Sequence, residues 1–106
     1  MDKEALEIFK ALSNEKRLEI LEWLKDPAKY FPPQGLHLPD GSGYLGGVCV
    51  GSIQARAGIS QSTVSHYLDI LQRAGLLKAQ RIGKWTYYSR NEEMIQKFCD
   101  AVSKDL

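Results

Sequence analysis

The run Gln61-Ser62-Thr63-Val64-Ser65-His66 sets five short hydrogen-bonding side chains around one valine. Gln61 can bond bidentately to adenine, and Ser62, Thr63 and Ser65 can reach bases or phosphates. The Thr63 methyl can meet a thymine methyl, and His66 can donate to a base or a phosphate. Tyr67 follows, its ring free to pack inward while its hydroxyl reaches a phosphate. Ser60, just before the run, is expected to cap a helix first and to touch DNA second. Asp69 is expected to orient a neighbouring side chain. This is the chemistry of groove recognition. Catalytic chemistry is missing: no nucleophile–base pair, Gly-rich phosphate loop or carboxylate pair is visible, so an enzyme is not expected.

Such residues work only when a helix delivers them to a major groove. Ser52 is expected to cap a short helix over 53–57, and Gly58 to supply the positive φ of a tight turn. Ser60 then caps a second helix over 61–74. Val64, Tyr67, Leu68 and Leu71 fall at i, i+3, i+4 and i+7 and should face the core. Ser62, His66, Asp69 and Arg73 fall opposite. Gly75 ends the helix. Residues 76–82 and 85–90 read as a hairpin turning at Gly83-Lys84, with Arg81 and Lys84 near its tip and Trp85 packed inward. Helices are also expected over 4–12, 15–24 and 92–104, the second buried through Leu18, Leu21 and Leu24. The fold class is mainly α with a β-hairpin wing: a winged helix-turn-helix of about five helices. Asp26 to Val48 holds all four prolines and five of the nine glycines. It reads as a long loop anchored by Tyr30, Phe31, Leu36, Leu38, Tyr44 and Leu45, with a short strand at Val48-Cys49-Val50.

The 106 residues are expected to form one domain, with terminal helices that dimerise and an insertion at 26–48. Net charge is only +1, but its distribution is uneven. Between Ile70 and Asn91 there are five bases (Arg73, Lys78, Arg81, Lys84 and Arg90) and no acid. That is what a phosphate-facing surface needs. No apolar run approaches a membrane span and no signal peptide is visible, so a cytoplasmic protein is expected. Two cysteines make no disulfide framework.

Three stretches resemble the ArsR/SmtB family of bacterial repressors. They are 11–21 (Ala11-Leu12-Ser13-Asn14-Glu15 through Leu21), 59–71 followed by Ala74-Gly75-Leu76-Leu77, and the wing Gly83-Lys84-Trp85-Thr86-Tyr87-Tyr88. The resemblance implies a homodimeric winged-helix repressor whose first and last helices form the interface. Each recognition helix would enter one half-site of a palindromic operator. The family's cysteine-pair sensor matches at Cys49, but Gly51 stands where the second cysteine would be. No metal site or cofactor is therefore expected, since one thiolate is a poor soft-metal site and His37 and His66 lie away from the last helix. Family members that sense oxidants through paired cysteines make Cys49 and Cys99 the candidates for redox sensing. A small organic inducer held by the 26–48 segment is the other candidate signal. The competing function is a winged-helix module for protein–protein contact without an operator.

Overall fold

The computed structural model describes residues 1–34 and 47–106. Among these the chain forms six helices and three strands. They are α1 (Lys3–Leu12), α2 (Glu15–Lys25), α3 (Pro27–Tyr30), β1 (Val48–Cys49), α4 (Val50–Ala57), α5 (Gln61–Arg73), β2 (Leu77–Ile82), β3 (Trp85–Arg90) and α6 (Glu92–Asp105). The helix beyond the expected five is α3. Pro27 occupies its first turn, where the missing N–H costs nothing, and carries the chain through four helical residues before it extends.

Four helices open on a polar side chain that accepts a first-turn amide. Asp2 accepts from Ala5 at 2.8 Å, Asn14 from Arg17 at 3.0 Å, Ser60 from Thr63 at 3.2 Å and Asn91 from Met94 at 3.2 Å. Each such cap stabilises its helix by about 1 kcal/mol. Helix α4 departs from the expected start. It begins at Val50 with Cys49 at its cap position and no side-chain cap bond, and Ser52 lies inside its first turn. The cause is the sheet. Cys49 is extended (ψ 153°) and paired with Tyr87, so the chain leaves the strand straight into the helix, and β1 stops at two residues.

The sheet is antiparallel in the order β1-β3-β2, with Cys49 opposite Tyr87 and Leu77 through Ile82 opposite Arg90 through Trp85. Gly83 takes φ 61° at the head of the two-residue hairpin loop. Gly47 (φ 102°) lets β1 come close: a Cβ there would stand 2.4 Å from the Tyr88 carbonyl oxygen.

Ile8, Ile20, Ile53, Val64, Leu68, Leu71 and Leu76 form the centre of the core. On α2 the buried stripe is Ile20, Leu21 and Leu24, while Leu18 is 42% exposed. The leucines at intervals of three misled because the stripe is centred between Ile20 and Leu21. Leu18 sits roughly 110° round the helix from that centre. Helix α1 buries Ala5, Ile8 and Ala11 but leaves Leu6 and Phe9 exposed, and α6 buries no residue fully. Phe9 and Phe98 meet edge-on at 5.0 Å on this outer side.

The start of the 26–48 segment packs against the domain. Phe31 and Gln34 are buried. The Gln34 amide donates to the Pro32 carbonyl at 2.8 Å and to Ser52 Oγ at 3.3 Å, and its oxygen accepts from the Cys49 amide at 3.1 Å. The anchors Leu36, Leu38, Tyr44 and Leu45, and His37, lie outside the described residues.

Candidate nucleic-acid interface

The turn between α4 and α5 hinges on Gly58 at φ 66°, where its amide donates to the Gln54 carbonyl at 3.0 Å. Val64, Leu68 and Leu71 pin α5 to the core. That fixes which side chains stand outside: Gln61, Ser62, Ser65, His66, Asp69 and Arg73 are exposed, and Thr63 and Tyr67 lie at the margin. The polar face expected of α5 is therefore present. Ser60 is a cap first: its Oγ accepts the Thr63 amide and lies 2.8 Å from Thr63 Oγ1. Thr63 is thus half committed to the helix terminus, whereas Gln61, Ser65 and His66 face outward with no internal hydrogen bond among the described residues.

Tyr67 does not pack fully inward. It is half-buried, stacks beside His66 with ring centroids 6.3 Å apart, and carries the Arg17 guanidinium over its face at 5.3 Å. Asp69 orients Arg73, its carboxylate 3.0 Å from the guanidinium and both groups well exposed. At the wing, Arg81 donates to the Gly83 carbonyl across the turn at 3.1 Å, and the Lys84 ammonium lies 5.5 Å from the centroid of the Trp85 ring. Trp85 was expected to pack inward, yet it remains 39% exposed at the turn. Arg90 is withdrawn from the basic surface. Its guanidinium binds the Glu92 carboxylate and the Leu21 carbonyl, strapping β3 to α2, and that bond holds the Glu92 carboxyl below its usual range. The unpaired basic character of the hairpin thus rests on Lys78, Arg81 and Lys84.

Cys49 and Cys99 are both free thiols. Cys49 is buried against Tyr87, its sulfur 3.3 Å from Ser52 Oγ, whereas Cys99 is exposed on α6. Burial, and secondarily the nearby Cys49, push the Tyr87 hydroxyl above its ordinary pKa. Burial followed by Asp69 does the same to Tyr88. Among the described residues no group of three or more His, Cys, Asp or Glu side chains could hold a metal ion. No helix there is long and apolar enough to cross a membrane.

Two features carried no sequence signal. Arg17 reads as an ordinary charge in the first turn of α2, and only the tertiary packing of α2 on α5 sets it over Tyr67. Gln34 lies in the Pro/Gly-rich stretch, where no periodicity marks a buried amide.

A short helix, a glycine turn, an outward polar helix and a basic hairpin define a winged helix-turn-helix of the kind found in transcription regulators. Residues 46–79 match the family described as "Bacterial regulatory protein, arsR family". The chain belongs to this family. It is 50% identical over 104 residues to the HTH-type transcriptional regulator YbzH of Bacillus subtilis (strain 168), spanning 97% of this chain and 99% of that one. It is 30% identical to the transcriptional repressor SdpR of the same organism, over 84% of this chain and 78% of that one. Among solved structures it is similar to the homodimeric winged helix-turn-helix DNA-binding domain Mb0332 of Mycobacterium bovis. That match has TM-score 0.64 and 26% identity, and covers 96% of this chain and 80% of that one.

Proposed function

We propose that the chain acts as one domain that binds DNA as a homodimeric repressor and leaves its operator on a signal. The observation that carries this reading is the outward face of α5. Gln61, Ser62, Ser65 and His66 project from the N-terminal turns of a helix pinned by Val64 and Leu68. Amides at that helix end attract phosphate, and the side chains beyond them suit base edges. Lys78, Arg81 and Lys84 on the hairpin add phosphate contacts on the same side of the sequence run. Dimerisation is supported by the apolar ridge of Leu6, Phe9 and Phe98, together with the half-buried Met94, Ile95 and Val102 of α6. A twofold arrangement would set two α5 helices on a palindromic site.

Two signals have structural support. The free thiols of Cys49 and Cys99 supply oxidisable groups. Tyr30, Phe31 and Pro32 wall an open groove of about 490 Å³ that reaches Cys49 and suits a small organic inducer.

The test is selection of duplexes from a randomised pool by the reduced protein, followed by anisotropy titration and by the same titration after oxidation. Enrichment of a palindrome supports the repressor reading. Failure to enrich any sequence at low salt refutes it and favours a protein-contact module.

A further inference from the structure

Arg17 makes an unusual set of contacts for a surface arginine. Its backbone amide is held by the Asn14 cap at 3.0 Å. Its side chain turns back to the end of α1, where Nε donates to the Ala11 carbonyl at 2.7 Å and Nη2 to the Lys10 carbonyl at 3.3 Å. The last carbonyls of a helix lack intrahelical donors, and a cation is favoured there. The same guanidinium lies 5.3 Å from the centroid of the Tyr67 ring on α5. One planar group therefore touches the end of α1, grows from the start of α2 and covers an aromatic ring on α5.

The surroundings make this contact matter. Two open grooves flank it: one of about 380 Å³ runs along Lys10, Arg17, Ile70 and Arg73, and another of about 360 Å³ along Asn14, Lys16 and Tyr67. At this outer level other side chains do not fill the junction between α1, α2 and α5. Below it, Val64, Leu68 and Leu71 stop α5 from leaving the core, but apolar contacts are non-directional and hold rotation about the helix axis weakly. A fork bound to two carbonyls with its plane over a ring is directional.

We propose that Arg17 is a positioning residue for DNA reading, setting the rotation of α5 against α1 through Tyr67. Gln61, Ser65 and His66 lie within two turns of Tyr67 on the same helix, so any rotation of α5 moves them relative to a bound base pair. The inference rests on the DNA-reading role proposed above. It adds a link between α1, which carries the exposed Leu6 and Phe9, and the reading face.

The test uses the full chain, the duplex selected by the wild-type protein, and a scrambled duplex of equal composition. The variants are Arg17→Gln, Arg17→Lys, Tyr67→Phe, Tyr67→Leu and the Arg17→Gln/Tyr67→Leu pair. The readout is the ratio of affinities for selected and scrambled DNA. Partial unfolding removes protein from both titrations equally and leaves that ratio alone. Arg17→Gln is expected to cut the ratio about tenfold. Arg17→Lys should do nearly the same, because an ammonium cannot serve two carbonyls and lie flat on a ring. Tyr67→Phe keeps the ring and the ratio, whereas Tyr67→Leu loses it. The paired variant is no worse than Arg17→Gln alone. The salt slope of binding stays unchanged throughout.

Three results would overturn the inference while leaving DNA binding intact. One is an Arg17→Gln ratio within about twofold of wild type. Another is a paired variant whose loss is the product of the two single losses. The third is an unchanged ratio with a salt slope reduced by about one, which would make Arg17 a direct phosphate contact. If the wild-type protein prefers no sequence, the DNA reading itself falls, and this inference with it.

Discussion

Tyr87→Phe should stabilise the protein. Tyr87 is fully buried, and its hydroxyl has no hydrogen-bond partner. Leaving a polar group buried and unpaired costs about 1–3 kcal/mol. Phenylalanine keeps the ring that packs against Cys49 and Ile82 and removes only the hydroxyl. The small void left behind offsets part of the gain, so the net is about 1 kcal/mol in favour of the variant. That corresponds to a rise in Tm of about 4 °C for a chain of this size. The assay is thermal and urea unfolding at one fixed protein concentration, because a dimer's stability moves with concentration.

The pH dependence gives an independent reading of the same residue. The folded-state pKa of Tyr87 is raised above 10.0 by burial and by Cys49. Below pH 10.0 both states hold the proton, and the wild type keeps its full stability. Above it the unfolded chain ionises while the folded one resists, so stability falls as pH climbs toward the folded pKa. The variant lacks this loss, and its advantage should widen above pH 10.0. Tyr88, also raised, contributes a similar decline to both proteins. A variant less stable than wild type at pH 7 would refute the reasoning, since it would mean that the hydroxyl is paired.

Gly47→Ala should destabilise by about 3 kcal/mol or more, read as a lower urea midpoint. Positive φ at alanine costs of order 1–3 kcal/mol, and its Cβ would press on the Tyr88 carbonyl at 2.4 Å. Gln61→Ala or Ser65→Ala should weaken binding to the selected duplex by about 1–3 kcal/mol while barely changing binding to scrambled DNA. Lys84→Ala should weaken both alike and lower the salt slope by about one; a changed sequence preference would show the wing placed wrongly. Phe9→Glu should shift the mass in sedimentation from dimer toward monomer, because it charges the ridge of Leu6, Phe9 and Phe98. An unchanged mass would place the interface elsewhere.

Much of the reading face was legible because its rules are local. Helix α5 has an i, i+3, i+4, i+7 pattern, a serine cap and a terminal glycine, and all three appear where the spacing put them. Asn14 and Asn91 cap the helices they precede for the same reason. The errors arose where distant parts of the chain compete. Ser52 is a sound cap by composition, but pairing of Cys49 with Tyr87, some forty residues away, starts the helix earlier. Leu18 belongs to an apolar cluster wider than one buried stripe, and only the packing of α2 decides which side turns in. Arg90 counted as a hairpin charge until Glu92 and the Leu21 carbonyl claimed it. Arg17 was legible as a charge but not as a contact, since its ring partner lies on another helix.

The strand order β1-β3-β2 leaves two open sheet edges. Exposed edges invite other strands to add on, which is a route to aggregation. One edge, β1, is two residues long and offers little to pair with. The other, β2, is six residues long, but Lys78 and Arg81 are exposed along it and only Leu77 is fully buried. Two such wings approaching edge to edge would meet like charges. The basic side chains of the hairpin therefore have a use even when no DNA is present: they keep a protein with an exposed apolar ridge from assembling through its sheet, and leave that ridge as the surface through which copies associate.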